Sequence, residues 1–174
     1  TKSKVRTILF PFFVIFDFTS IYLLLFIFLF TFLFAGFMGF TTGPFLNYVI
    51  STLNNGSELI MISAGGTGLV FFGLSGYILT TKKDMSYLAS TIVAGSMVTF
   101  VAMIVALVFH ITAMQLALCV LFILLSSGMI VYQTSAIVHG GETNYVLATV
   151  TLYLSIYNIF MTLLQLLVSF TGQR

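Results

Sequence analysis

Long runs of apolar residues, separated by short polar segments, are the dominant pattern of this chain. Four of these runs are close to the length of about 20 residues that an α-helix needs to cross the hydrocarbon core of a bilayer. They cover Leu59–Thr80, Tyr87–Phe109, Met114–Tyr132 and Tyr145–Phe170. The apolar residues are continuous rather than alternating, which excludes the strands of a membrane β-barrel. The pattern therefore predicts an up-and-down bundle of membrane-spanning helices joined by tight turns.

The segment before the first of these runs is harder to divide into elements. It is apolar over Ile8–Ile50, which is too long for one upright span. It could form two spans separated by a break at Asp17–Ser20. It could instead form one long helix from about Ile21, with a short piece before it and a kink at Gly43–Pro44. At such a break Asp17 is a loop residue, which we expect in preference to a carboxylate buried in the membrane.

The composition of the chain agrees with a membrane protein. Of its 174 residues, 60% are apolar and only 6% are charged, whereas roughly a quarter of the residues in a soluble domain are charged. So few charges cannot cover a water-facing surface. The basic residues lie at chain ends and turns and form no face interleaved with aromatic residues, which excludes a nucleic-acid-binding surface. We therefore expect the lipid bilayer as a partner, and no nucleic acid.

The basic residues also predict the orientation of the spans, because Lys and Arg accumulate in cytoplasmic loops. Lys82 and Lys83 place the turn at 80–86 inside, whereas the loop at 51–58 has no basic residue and falls outside. The turn at 110–113 is then outside, the turn at 139–144 inside and the C-terminus outside. The basic N-terminus also favours the inside, which conflicts with two spans before residue 50. Either the N-terminus is outside or residues 8–16 do not span.

A stripe of polar residues runs along one face of the last span. Its members follow one another at intervals of three or four residues, the spacing that keeps side chains on one helix face. We call them the polar stripe: Thr151, Ser155, Asn158, Thr162, Gln165 and Ser169. Polar groups facing lipid would be unpaired, so we expect the stripe to face the bundle interior. It could form hydrogen bonds between helices or line a polar seam or cavity, with Gln133 of the preceding span facing Thr151 or Ser155.

Residues with catalytic or metal-binding potential form no recognisable motif. His139 and Glu142, in the cytoplasmic hinge at 139–144, are too few for a metal-ligand set, and His110 lies on the other turn. The single Cys119 cannot form an intrachain disulfide, and in its apolar run we expect a packed thiol. No nucleophile motif is present. We therefore expect no enzyme activity and no cofactor or metal.

Small residues are frequent in the first clear span. Ala64 and Gly68 are four residues apart, the spacing that lets membrane helices approach closely. The surrounding glycines are not followed by the Lys-Ser/Thr pair of a phosphate-binding loop. We therefore predict helix packing rather than ligand binding for this segment.

Several long motifs follow one another in the order found in one membrane protein family. They are "GPFLN", "GGTGLVFFGLSGYILTTKKDMSYL", "LFILLSSGMIVYQTSAIVHGGETNY" and "ATVTLYLSIYNIF". Together they resemble the Bax inhibitor-1 family, over about residues 31–174. The resemblance implies an all-α, polytopic transmembrane helix bundle, and we expect a fragment with five to six hydrophobic spans. The whole chain, 1–174, would be one membrane domain, with 1–30 a divergent or non-native segment.

The resemblance implies two functions. Members of one branch of the family are non-enzymatic regulators of a membrane-bound AAA protease of the FtsH type in the bacterial inner membrane. The alternative is a pH-sensitive calcium leak channel, in which two aspartates on the last two spans share a proton. The matching motifs carry Gln133 and Ser155 at these aspartate positions, and neither side chain can be charged. The resemblance therefore favours the protease regulator, and calcium is a partner only under the alternative.

Overall fold

Five α-helices make up nearly all of the structure. A computed structural model describes the backbone of residues 2–109 and 112–172, and the side chains of 21–109 and 113–172. The helices are α1 (Lys2–Thr52), α2 (Gly56–Thr81), α3 (Leu88–Phe109), α4 (Thr112–Val138) and α5 (Tyr145–Gly172). Each contains a stretch long and apolar enough to cross a membrane, which in α1 is Ile21–Thr52. Because a helix satisfies its own backbone hydrogen bonds in lipid, these helices make the chain a multi-pass membrane protein.

The first helix is continuous where a break was one of the predicted alternatives. α1 passes through residues 17–20 and through Pro44 without ending, so Asp17 lies in a helix and not in a loop. The break was wrong because residues 17–20 include neither Gly nor Pro, and the other residue types cost a helix at most about 0.7 kcal/mol each. The side chain of Asp17 lies outside the described residues. One helix also removes the orientation conflict, since residues 8–16 form no separate span.

The fourth helix extends past its predicted end at Tyr132 and finishes at Val138. The polar residues that follow the predicted end lie inside the helix instead: Gln133, Thr134 and Ser135. Thr134 and Ser135 are buried, and the hydroxyl of Thr134 lies 3.5 Å from that of Ser75 on α2. Polar side chains with partners on neighbouring helices do not terminate a membrane helix.

The chain divides into two compact units at Pro44. The first is the α1 segment up to Pro44, and the second begins at Phe45 and contains α2 to α5. In the second unit α4 packs against α2, α3 and α5, and α5 also packs against α2. A buried apolar cluster formed by Val49, Leu59 and Leu164 joins the end of α1 to α2 and α5.

The helices of the second unit are joined by tight turns. α2 is capped by Lys82, which adopts a left-handed conformation with φ 49° and donates its backbone N–H to Ile78 O at 2.8 Å. The turn between α4 and α5 contains Gly140 at φ 70°, a conformation that glycine adopts without steric cost. These two turns belong to the two loops predicted to be cytoplasmic, and side chains of α4 and its C-terminal turn connect them.

Candidate functional site

The inner half of the polar stripe is packed into the bundle. Ser155 is buried and Thr151 is half-buried. Each hydroxyl donates a hydrogen bond to a carbonyl of its own helix: Ser155 to Thr151 O and Thr151 to Leu147 O, both at 2.9 Å. Bonds of this kind satisfy a hydroxyl inside the membrane without a partner on another helix. The hydrogen bonds of these two hydroxyls therefore stay within α5.

The outer half of the stripe lines a cavity. This cavity, of about 610 Å³, lies among α3, α4 and α5, with Phe45 also on its wall. Its lining includes four stripe residues: Asn158, Thr162, Gln165 and Ser169. From the facing helix α4 come Gln115 and Cys119, and α3 provides an apolar wall. The outer half of the stripe therefore borders this cavity.

The polar groups of this cavity are neutral and sparsely paired. The Sγ atom of Cys119 lies 3.8 Å from Oε1 of Gln165, across the gap between α4 and α5. The hydroxyl of Thr162 donates to Asn158 O of its own helix. Among the described residues, the amides of Gln115 and Asn158 have no hydrogen bond, and both side chains are exposed on the cavity wall. The walls therefore offer free donors and acceptors but no charge.

Gln133 and Ser155, which stand where the resemblance implies an acidic pair, are both buried. The amide nitrogen of Gln133 lies 3.5 Å from Oε2 of Glu142, in the turn after α4. The other carboxylate oxygen of Glu142 accepts from the backbone N–H of Asn144 at 3.0 Å. The structure thus connects Gln133 to the hinge predicted to be cytoplasmic, a link that no sequence pattern predicted. The spacing between residues 133 and 142 matches no helical repeat, because the chain turns between them.

His139 connects the two turns that are predicted to be cytoplasmic. Its ring nitrogens lie 2.9 Å from Ser135 O (Nδ1) and 3.0 Å from Lys82 O (Nε2). A neutral imidazole donates through only one nitrogen, whereas the protonated ring donates through both. In the turn between α2 and α3 the Asp84 carboxylate accepts hydrogen bonds from the side chain and backbone of Ser86, which lower the pKa of Asp84. His139 adds a smaller electrostatic contribution in the same direction.

Ser135 is the second link between these turns, and sequence reasoning passed over its importance. Its hydroxyl oxygen accepts the backbone N–H of Met85 at 2.9 Å and lies 3.2 Å from Lys83 O, to which it can donate. Ser135 and Met85 are both buried. Its only sequence signal was a polar residue near the predicted end of a span. The turns predicted to lie together inside are therefore in direct contact.

The described part of the chain contains no group of three His, Cys, Asp or Glu side chains close enough to hold a metal ion. His139 and Glu142 of the hinge each use their side chains in the protein hydrogen bonds just described. His110 lies outside the described residues. The arrangement can bind neutral hydrogen-bonding groups in the cavity and hold the cytoplasmic turns together.

Comparison with known proteins gives a consistent family relationship. The family model described as "Inhibitor of apoptosis-promoting Bax1" matches residues 5–172, a range that starts before residue 31, where the sequence motifs place the beginning of the resemblance. No solved structure shows a significant match.

Three relatives illustrate how far the similarity extends. An uncharacterized protein of Pseudomonas aeruginosa is 54% identical over 132 residues, covering 76% of this chain and 59% of the relative. The "Modulator of FtsH protease YccA" of Escherichia coli K12 is 48% identical over 134 residues, covering 77% and 60%. The mouse "Protein lifeguard 4" is 35% identical over 102 residues, covering 58% and 43%. The matched part of the chain thus spans about 60% of the length of the bacterial relatives.

Proposed function

Because this chain belongs to the Bax inhibitor-1 family, we propose that it is a non-enzymatic membrane regulator of an AAA protease of the FtsH type. The observation that carries the proposal is its 48% identity over 134 residues with a protein named as a modulator of FtsH protease. The matching family is described as an inhibitor and this relative is named a modulator, and neither description names an enzyme activity. A second relative is named "Inner membrane protein YccA", and we place this chain in the bacterial inner membrane too.

The proposal assigns the contact with the protease mainly to the faces of the spans. The two cytoplasmic turns are short, and Ser135 and His139 already engage part of their backbone. α3, by contrast, packs only against α4 among the described helices, and side chains such as Phe100 and Ile104 are exposed. In lipid, helix faces associate through packing rather than through water exclusion. This free face therefore supports a contact within the bilayer.

Co-purification and substrate turnover test the proposal together. We expect the chain to co-purify with an FtsH-type protease in mild detergent, and its overproduction to lengthen the half-life of a membrane substrate in a pulse-chase experiment. The double variant Phe100→Ala/Ile104→Ala should weaken both effects. The matched variant Leu69→Ala/Phe72→Ala removes exposed side chains of α2 and should weaken neither. Failure of the unmodified chain to associate or to change turnover would contradict the proposal.

The cavity is the one observation that favours the alternative, an ion leak. Its described lining contains no carboxylate, and Gln133 and Ser155 leave the acidic pair without a charge. A calcium ion prefers several carboxylate or carbonyl oxygens, so these residues support the regulator more strongly. Calcium flux into proteoliposomes separates the two functions. A flux that Ser155→Leu abolishes would overturn the regulator as the primary function.

A further inference from the structure

The protease proposal leaves the cavity among α3, α4 and α5 without a role. Its polar lining begins near the outer ends of the helices, since Gln115 is close to the start of α4 and Ser169 close to the end of α5. It continues inward to Asn158. At 1.5 Å per residue, the stripe from Ser169 to Asn158 covers about 16 Å. The cavity therefore reaches from the predicted outer interface towards the middle of the bilayer.

A free amide near the middle of the bilayer needs an occupant that can form hydrogen bonds. The Asn158 side chain has no hydrogen-bond partner among the described residues, and an unsatisfied amide in hydrocarbon costs several kcal/mol. An acyl chain alone cannot supply a partner. The occupant must therefore carry donors or acceptors, either as water or as the polar part of a larger molecule.

The remaining walls point to a larger molecule with an apolar part. Met103, Leu107 and Phe122 line the same cavity. Water cannot form hydrogen bonds with these apolar side chains. The volume of about 610 Å³ lies within the range of about 300 to 1,000 Å³ that small-molecule sites occupy. A mostly apolar pocket with a few polar groups is the usual composition of such a site.

The charge of the occupant follows from the lining. The described residues on the cavity wall include no Asp, Glu, Lys or Arg. A charged group placed there would lose its hydration and find no counter-charge, which is unfavourable at membrane depth. The lining therefore selects an uncharged polar group.

We propose that this cavity binds a neutral amphiphile from the bilayer. Its uncharged head, of the alcohol or ester type, forms hydrogen bonds with Asn158 and Gln165. Its apolar chain lies against Met103, Leu107 and Phe122. The site is independent of the proposed protease contact, because it uses the inside of the α3–α5 group and not the exposed face of α3.

The single cysteine of the chain reports directly on this site. Cys119 lines the cavity, whereas its neighbour Val120 is exposed and is not among the lining residues. The full chain in lipid vesicles is treated with a membrane-permeant maleimide, with and without monooleoylglycerol as the probe. At ten times the dissociation constant of the probe, occupancy should slow alkylation of Cys119 about tenfold. The reference variant Cys119→Ser/Val120→Cys should alkylate at an unchanged rate.

Two further arms test the chemistry of the ligand. Oleate at pH 8 or above has the same acyl chain but an anionic head, so it should protect Cys119 far less than monooleoylglycerol does. Asn158→Leu and Gln165→Leu should each reduce protection by monooleoylglycerol several-fold. Thr149→Val, a control on an exposed threonine of α5 outside the cavity, should leave protection unchanged.

Several outcomes would overturn the proposal. Rapid alkylation of Cys119 that no probe slows would indicate water as the occupant. Equal protection by oleate, or equal protection of the reference thiol, would indicate a general effect on the membrane. If Cys119 does not react at all, a diazirine derivative of monooleoylglycerol replaces the maleimide. Absence of its label from residues 103–107, 115–122 and 158–169 would then refute the site.

Discussion

Individual hydroxyl groups in this chain are of two kinds, according to whether their hydrogen bond stays within one helix or joins two segments of the chain. One kind belongs to a buried residue and donates to the carbonyl four residues earlier in the same helix, as in Ser63, Thr67, Thr99 and Ser155. The hydroxyl of Ser135 instead joins two separate segments of the chain. Sequence alone cannot separate the two kinds, because both occur as an isolated polar residue in an apolar run.

The first prediction compares two buried serines of these two kinds. Ser135→Ala leaves the buried N–H of Met85 without its acceptor, so we expect the free energy of unfolding to fall by about 1 to 3 kcal/mol. Ser155→Ala removes only a bond within one helix, and should cost about 0.5 kcal/mol. Unfolding of both variants in mixed detergent micelles measures the difference. Equal losses of unfolding free energy would show that the Ser135 hydrogen bond stabilises the fold no more than the Ser155 bond does.

The second prediction concerns the acid range and the turn at Asp84. Hydrogen bonds from Ser86 lower the pKa of Asp84 from its ordinary value of 3.8. A carboxyl with a lowered pKa stabilises the folded turn fully above its ordinary value, and this contribution is lost as the pH falls through the lower, folded value. We therefore expect a carboxyl NMR titration to show the pKa of Asp84 rising towards 3.8 in Ser86→Ala. Ser90→Ala, whose hydroxyl donates to Tyr87 O, serves as the control. Identical titrations in both variants would contradict this account.

At the scale of the helices, apolar run length predicted most of the fold. The predicted α2, α3 and α5 begin and end within about three residues of the observed bounds, because hydrocarbon thickness limits a span more strongly than local propensity does. α1 and α4 differ from prediction where polar residues were interpreted as ends. In α4 those residues find partners on neighbouring segments, information that no single span contains.

The third prediction separates glycines that helix contacts require from those they do not. A Cβ atom at Gly56 would lie 2.2 Å from the backbone oxygen of Val49, and backbone cannot move aside as a flexible side chain can. Gly56→Ala should therefore destabilise the chain by about 1 to 3 kcal/mol. Gly65 and Gly68 have open space at the same position, so the close packing predicted from Ala64 and Gly68 is not seen at Gly68.

The matched control for Gly56 is Gly65→Ala. In a helix interior alanine is favoured over glycine by about 0.5 to 1 kcal/mol, so this variant should be neutral or more stable. Thermal unfolding of the two variants in the same detergent gives the comparison. A stable Gly56→Ala variant would mean that α1 and α2 can separate at no cost.

At the scale of the whole molecule, the sequence predicted the polar stripe but not what faces it. Helical spacing placed Asn158 and Gln165 on one face, since that spacing is a local property. Their neighbours Gln115 and Cys119 come from a different helix, and no pattern within that helix marks them. The sequence predicted that the two turns lie on the same, cytoplasmic side of the membrane. The contacts of Ser135 and His139 across that pair were not, because they depend on how the helix ends meet.

The contact between the two cytoplasmic turns leads to the last prediction, which concerns topology. The turns at 82–87 and 139–144 are in hydrogen-bond contact through Ser135 and His139, so they must lie on the same side of the membrane. Lys82 and Lys83 place that side in the cytoplasm. Since α2 crosses the bilayer, the loop between α1 and α2 must then be outside. In a Cys119→Ser background, an impermeant maleimide should label Asn54→Cys in intact spheroplasts and Ser86→Cys only after permeabilisation. Labelling of Ser86→Cys in intact spheroplasts would show that the orientation is opposite to the predicted one. The cavity would then lie at the cytoplasmic interface.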